Sequence, residues 1–211
     1  QAMRVMADAL DNVLLNGDTE TGDGNINSSD APLPPTDKTL AFDGLRKLPL
    51  MIDPSKAHNA LGNAPSLELM REARFKMPIR YALRQMHCAW IMDGSTYGKL
   101  LGLDEVLTVD KFGPSATVLS GELAKLEGVP IIVSPEMSTT QEDGLVGSSG
   151  NTQGQAVCVY RPGWVVGYRR RITATMDYLP YFDSYQMVAT VRLAFGRMDD
   201  DVASALINIG I

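Results

Sequence analysis

Three consecutive arginines, Arg169-Arg170-Arg171, form the one concentrated basic patch of the sequence. Guanidinium groups pair with carboxylates and phosphates in a bidentate fork, so clustered arginine points to an anionic partner. In a regular strand the outer two share a face and the middle one faces away. These residues are candidates for contact with a neighbouring subunit or with nucleic acid. The simpler alternative is a solvated strand edge that positive charge protects from unwanted pairing.

Other clusters offer less. Asp199-Asp200-Asp201 places three carboxylates in a row, but adjacent side chains diverge in helix and strand alike, so they rarely converge on one ion. Stabilising the positive end of a following helix is the expected role. Asp23-Gly24-Asn25-Ile26-Asn27-Ser28-Ser29 resembles the opening of a calcium loop. Its sixth and twelfth positions hold Ser28 and Pro34, where that pattern needs Gly and a bidentate Glu. Asn27-Ser28-Ser29 also fits the glycosylation triplet and is read as loop sequence. Gly147-Ser148-Ser149-Gly150 lacks the spacing of a nucleophile elbow. A serine or cysteine hydrolase needs a histidine base, and only His58 and His87 exist, each expected to be a surface or packed residue. Cys88 and Cys158 lack metal-ligand spacing and are expected to be buried and reduced. There is no P-loop and no dinucleotide fingerprint. The sequence thus points to no catalytic residue, no metal site and no cofactor.

With 211 residues the chain can bury a real core, and its 45% hydrophobic and 21% charged composition is ordinary for a globular protein. A net charge of −6 argues against broad electrostatic capture of nucleic acid, though one weakly basic surface can still face it. No apolar run approaches the roughly 20 residues that span a bilayer, and no signal-peptide pattern opens the chain. Gln1 opens directly into helical periodicity, as if the chain began within something longer or followed a cleavage.

The elements that position these residues follow from pattern. Met3, Met6, Ala7, Leu10, Val13 and Leu14 recur at helical spacing, predicting a helix over 2–15 that Asn16-Gly17 ends in the manner of a left-handed cap. Residues 18–35 read as an exposed polar loop, and Phe42-Asp43-Gly44-Leu45 as a turn. Ser66 is a candidate N-cap for a helix with Leu67, Met70, Ala73 and Met77 on its apolar stripe, ended or kinked by Pro78. A short strand at Cys88–Met92, a short helix at Ser95–Leu101 and a turn at Gly113-Pro114 follow. Gly128-Val129-Pro130-Ile131-Ile132-Val133 is a turn and a buried strand, and 138–154 a long polar loop. Further strands are predicted at Ala156–Tyr160, Trp164–Met176 and Tyr185–Phe195. Helices flanking a strand-rich second half indicate an α+β fold.

This succession resembles the C-terminal part of tailed-phage-type major capsid proteins of the Hong Kong 97 fold. Val13-Leu14-Leu15-Asn16-Gly17-Asp18 is similar to the end of that family's spine helix, and Phe42-Asp43-Gly44-Leu45 to the segment after its variable loop. Gly128 to Val133 resembles its Gly-hydrophobic-Pro strand, and Arg192 an arginine in its last strand. The resemblance implies a mixed sheet with flanking helices, lacking the N-terminal arm and extended loop. It implies a peripheral domain of residues 1–45 and 196–211, and an axial domain of residues 46–195 with the 138–154 loop around the ring axis.

On that resemblance the chain is a structural protein, not an enzyme. It assembles with itself into pentamers and hexamers of an icosahedral viral head, by heterologous contacts that close into rings. Implied partners are other capsid or head proteins and packaged DNA, met weakly at the inner surface, with no membrane. The implied location is the virion, assembled in the host cytoplasm. An encapsulin-like compartment around protein cargo is the alternative within the same fold. A hydrolase with a carboxylate pair, or a binding module using the 138–154 loop, are the alternatives of another class.

Overall fold

Two adjacent strands with almost no exposed residue, Gln153–Tyr160 and Ala203–Gly210, form the centre of the molecule in a computed structural model that describes residues 2–22, 24–103 and 125–211. In chain order the elements are α1 (Ala2–Asn16), β1 (Ala57–Asn59), α2 (Leu67–Arg74), α3 (Ile79–Ala82), β2 (Cys88–Met92), α4 (Gly94–Leu101), β3 (Lys125–Leu126), β4 (Val129–Val133), β5 (Gln153–Tyr160), β6 (Trp164–Leu179), β7 (Ser184–Arg197) and β8 (Ala203–Gly210). The turn expected at Gly113-Pro114 lies outside the described residues.

One sheet has the order β1-β8-β5-β2-β4-β3 and the other is the ribbon β6-β7. The larger sheet is mixed: β1 runs parallel to β8 and β2 to β4, while β5 is antiparallel to both of its neighbours. With helices flanking it, this is the α+β architecture expected from the sequence. Burial on both faces explains why β5 and β8 carry near-continuous small and apolar residues instead of an alternating pattern. Trp90, Met92, Leu206 and Ile209 are among the fully buried side chains. Each large side chain so buried contributes roughly 1.5–3 kcal/mol.

Local chemistry sets the boundaries. Ser66 Oγ accepts the Leu69 amide at 3.2 Å and starts α2; an Asp93 carboxylate oxygen accepts the Thr96 amide at 2.9 Å and starts α4. Glu127 and Gly128, both with positive φ, make the two-residue turn between β3 and β4, the conformation that suits strand twist.

Four expectations need correction. The segment after Asp199-Asp200-Asp201 is strand β8, not a helix, because β5 and β1 flank it and satisfy its backbone from both sides. Residues 18–35 are not simply an exposed loop: Asp18, Asn25 and Ile26 are buried. Asp18 accepts the Ile26 amide at 2.8 Å and the Lys47 ammonium at 2.7 Å, which folds the loop around the buried Ile26 side chain. Gly17 ends α1 without a left-handed backbone; it is needed because a Cβ there would meet the Phe42 carbonyl oxygen at 2.2 Å. Gly44 crosses at the same point, its amide donating to the Gly17 carbonyl at 2.7 Å, so the two glycine segments noted separately in the sequence form one crossing.

The fourth concerns the loop 138–154, whose end already belongs to β5 and whose body is tied to the rest of the chain. Thr140 and Gln153 exchange backbone hydrogen bonds at 2.8 and 2.9 Å, and the Gln155 side-chain amide donates to the Ser138 carbonyl at 2.7 Å. Residues 203–210 lie between β1 and β5, whereas the ribbon of residues 164–197 forms a sheet of its own.

Candidate assembly interface

The ribbon β6-β7 carries the arginine cluster. Strands of this length extend about 50 Å. All but the two end residues of β6 are exposed, and β7 buries only one face in part. Isolated two-stranded ribbons are marginally stable in water, so this one depends on its base.

The base is held by aromatic stacking, close backbone approach and charge. Trp164 lies 5.2 Å from Phe195, nearly parallel, and Phe42 packs 5.7 Å from Phe195 with its ring tilted. Gly163 is obligatory, since a Cβ there would meet Val202 at 2.3 Å. Where the ribbon returns to β8, Asp199 and Asp201 both reach Arg80 instead of diverging, and only Asp200 turns away from them, to Arg197. Asp199 accepts from Arg80 at 2.8 Å and from the Tyr81 hydroxyl at 2.6 Å. Asp200 pairs with Arg197, and Asp201 with Lys56 at 2.7 Å and Arg80 at 3.3 Å. The Tyr81 hydroxyl holds the Asp199 carboxyl below the usual carboxylate range.

Along the ribbon the register shifts between Tyr168 and Arg170 and again between Arg170 and Thr173. Arg169 is thus an extra residue, and Arg171-Ile172 together oppose Val191. The regular alternation expected to place Arg169 and Arg171 on one face does not run through these bulges. Between the two shifts Arg170 pairs directly with Arg192. Like charges in that position cost a few tenths to about 1 kcal/mol. All four arginines are exposed, and none makes an ion pair among the described residues.

The distal end is aromatic. Tyr178 and Tyr185 pack at 5.1 Å across the strands, and the Tyr178 hydroxyl donates to Asp183 at 2.7 Å. Tyr181 and Phe182, 94% and 74% exposed, form the tip with Met176 and Met187 behind them. Sequence reasoning found the strands but not this apolar tip; its signal was the density of Tyr, Phe and Met between two polar-alternating runs.

The other candidate residues serve local structure. His58 meets Glu72 at 3.1 Å, and His87 packs edge-on to Tyr160. No serine or cysteine hydrogen-bonds to either histidine among the described residues. Cys88 and Cys158 are free and buried, as expected, and burial pushes the Cys158 thiol up. Ser148 donates its amide and hydroxyl to Asp30 at 2.8 and 2.9 Å. Asp23 lies outside the described residues, and Asn25 is buried, its amide bonded to the Glu20 carbonyl. Among the described residues no group of His, Cys, Asp and Glu side chains is placed to hold a metal ion, and no helix is long and apolar enough to cross a membrane.

Sequence comparison finds no relative: no protein-family model and no characterised protein matches the chain. Solved structures do match. The mature capsid of bacteriophage PhiM1 superposes on 96% of this chain with a TM-score of 0.54 at 15% identity. A protein of Mycobacterium phage Che8 matches 75% of the chain with a TM-score of 0.55 at 13% identity. The fold is that of Hong Kong 97-type capsid proteins. An encapsulin, SrpI of Synechococcus elongatus PCC 7942, shares it, with a TM-score of 0.55 over 99% of the chain at 14% identity. The chain spans 55% of the length of the Che8 protein, 60% of the PhiM1 protein and 63% of the encapsulin. Relative to these capsid-fold neighbours the likeness is one of backbone, with little sequence in common.

Proposed function

We propose that this protein is a structural, non-enzymatic subunit of an icosahedral viral head, self-assembling into pentamers and hexamers around packaged DNA. The observation that carries this reading is the ribbon: a long two-stranded arm, exposed along both strands, on a chain with the capsid fold. Such an arm is unfavourable for a free monomer and is explained if neighbouring copies cover it. The chemistry-bearing residues support the same reading, since Asp199, Asp201, His58 and Ser148 are engaged in contacts within the chain.

Sheet membership and packing suggest how the chain divides. Residues 46–160 with β8 would form the axial body. The segment 1–45 would join the ribbon as the peripheral part, because α1 and Phe42 pack against β7. The exposed end of the 138–154 loop would face the ring axis, and Arg169, Arg170 and Arg171 would belong to the contact surface of the assembly. The virion is the corresponding location. A cargo-enclosing compartment is the second reading, favoured by the match to the encapsulin.

Negative-stain electron microscopy of the full-length protein tests the proposal. Closed icosahedral particles are the expected result; monodisperse small oligomers would overturn it. Nucleic acid extracted from the particles supports a viral head, and a co-purifying protein cargo a compartment.

A further inference from the structure

We infer that Arg169, Arg170, Arg171 and Arg192 form a single guanidinium band that takes carboxylates of a second copy of this chain. The inference rests on the shell reading and names the partner of its basic surface. The sequence shows three of these residues as a cluster; the register adds the fourth. Arg192 comes from the opposite strand and sits directly across from Arg170, with a bulge on either side. Bulges re-aim side chains out of the regular pleat. The arrangement brings four like charges together where the strands could have carried neutral residues, and no carboxylate of the chain relieves them among the described residues. An anion from outside removes that repulsion.

Two observations favour protein carboxylates over nucleic-acid phosphates. First, the band lies in apolar surroundings: Val165, Val166, Tyr168 and Ile172 beside it are all exposed. A partly apolar surface with a central arginine cluster fits a protein partner, whereas duplex phosphates call for a broad polar and basic face. Second, a further copy of the chain is a source of acid, carrying 25 aspartates and glutamates against 19 lysines and arginines. Since these four arginines belong to the minority, the surface left for them to meet is still more acidic than the whole chain. Asp8 and Asp11, exposed one turn apart on α1 and without an ion pair among the described residues, illustrate the paired carboxylates on offer. Contact between different surfaces of successive copies is the heterologous type that closes into rings.

The test is assembly of nuclease-treated full-length protein, free of nucleic acid, followed by sedimentation and electron microscopy. The variants are Arg170→Gln with Arg192→Gln, and Arg170→Glu with Arg192→Glu. The thermal midpoint of the glutamine variant as an isolated subunit should equal or exceed that of the wild type, since the Arg170–Arg192 repulsion is removed, whereas the glutamate variant keeps a like-charge pair across the strands and should stay close to the wild type. Particle yield should fall about tenfold for the glutamine pair and further for the glutamate pair, because each 1.4 kcal/mol of lost contact is a factor of ten. Wild-type yield from either variant overturns the inference while leaving the shell reading intact. A defect seen only when DNA is present reassigns the band to phosphate and likewise overturns it. Equal loss from neutralisation and reversal would mean packing and not charge, and would also overturn it. If the wild-type protein itself forms no particles, the shell reading fails, and this inference with it.

Discussion

Arg46 shows how much one buried cation organises. It is fully buried, donating to Asn16 Oδ1 at 2.7 Å, to Gln155 Oε1 at 3.1 Å and to the Gly144 carbonyl at 3.1 Å. These acceptors belong to the end of α1, to the central strand β5 and to the 138–154 loop, so one fork joins three parts of the chain. No carboxylate pairs with it among the described residues, and burial alone pushes the guanidinium down to about 10, which still leaves it charged at neutral pH. Arg46→Ala leaves three buried acceptors unsatisfied and should cost about 3–4 kcal/mol, read as a fall in the urea midpoint with unchanged slope. Arg46→Lys keeps the charge but not the planar fork, and should cost about 2 kcal/mol by the same measurement. In the sequence Arg46 is one of two adjacent cations, Arg46-Lys47, set among Leu45, Leu48 and Leu50, and it drew no functional or structural reading. Nothing in the sequence said which distant acceptors it would meet.

At the scale of elements, the base of the ribbon is clamped to α3 through Asp199, and that clamp has a definite pH dependence. Hydrogen bonds from the Tyr81 hydroxyl, and then its other partners, hold the Asp199 carboxyl below its ordinary value. A lowered carboxylate pKa gives stability that is complete above the unfolded value of about 3.9 and is lost as pH falls through the folded value. Asp30 and Asp37 are lowered too, chiefly by the Ser148 and Thr39 amides, so their contributions share the sign. The thermal midpoint should therefore be flat above about pH 5 and fall below about pH 4, as these carboxylates are protonated in the folded protein. In Tyr81→Phe it should be lower at neutral pH and fall less on acidification; a fall as steep as in the wild type would remove Tyr81 from the clamp. Elements were legible where local rules and tertiary context agree. Cys88–Met92 reads as a strand from its composition, and the Ser66 cap marks the start of α2. β8 was misread because an aspartate run before Ala-Ser-Ala-Leu satisfies the helix-start rule, while the decisive fact, a slot between β1 and β5, is non-local. The ribbon strands were visible, but bulges leave no mark in residue types, so the meeting of Arg170 with Arg192 was not.

For the whole molecule the proposed shell role implies a separation between folding and assembly. The hydrophobic core draws its buried side chains from the strands of the larger sheet, from the four helices and from the segments around Ile26, Leu48 and Met137, with none between residues 165 and 201. Trp164 and Arg197 are already cross-strand neighbours at the base, so a two-residue turn joining them can replace residues 165–196 without stretching the chain. Such a variant loses the stacking of Phe195 on Trp164 and its contact with Phe42, worth about 1–3 kcal/mol together. It keeps the aspartates that bind Arg80, Tyr81 and Lys56. Cooperative thermal unfolding with a midpoint only a few degrees lower is therefore expected, along with complete loss of particles. Loss of the cooperative transition would show that the ribbon belongs to the folding unit; particles of normal size would show that it is not the arm through which copies hold one another. The fold allows this division because the buried core lies in and around the larger sheet, so that under the shell proposal the exposed ribbon is left for a neighbouring copy.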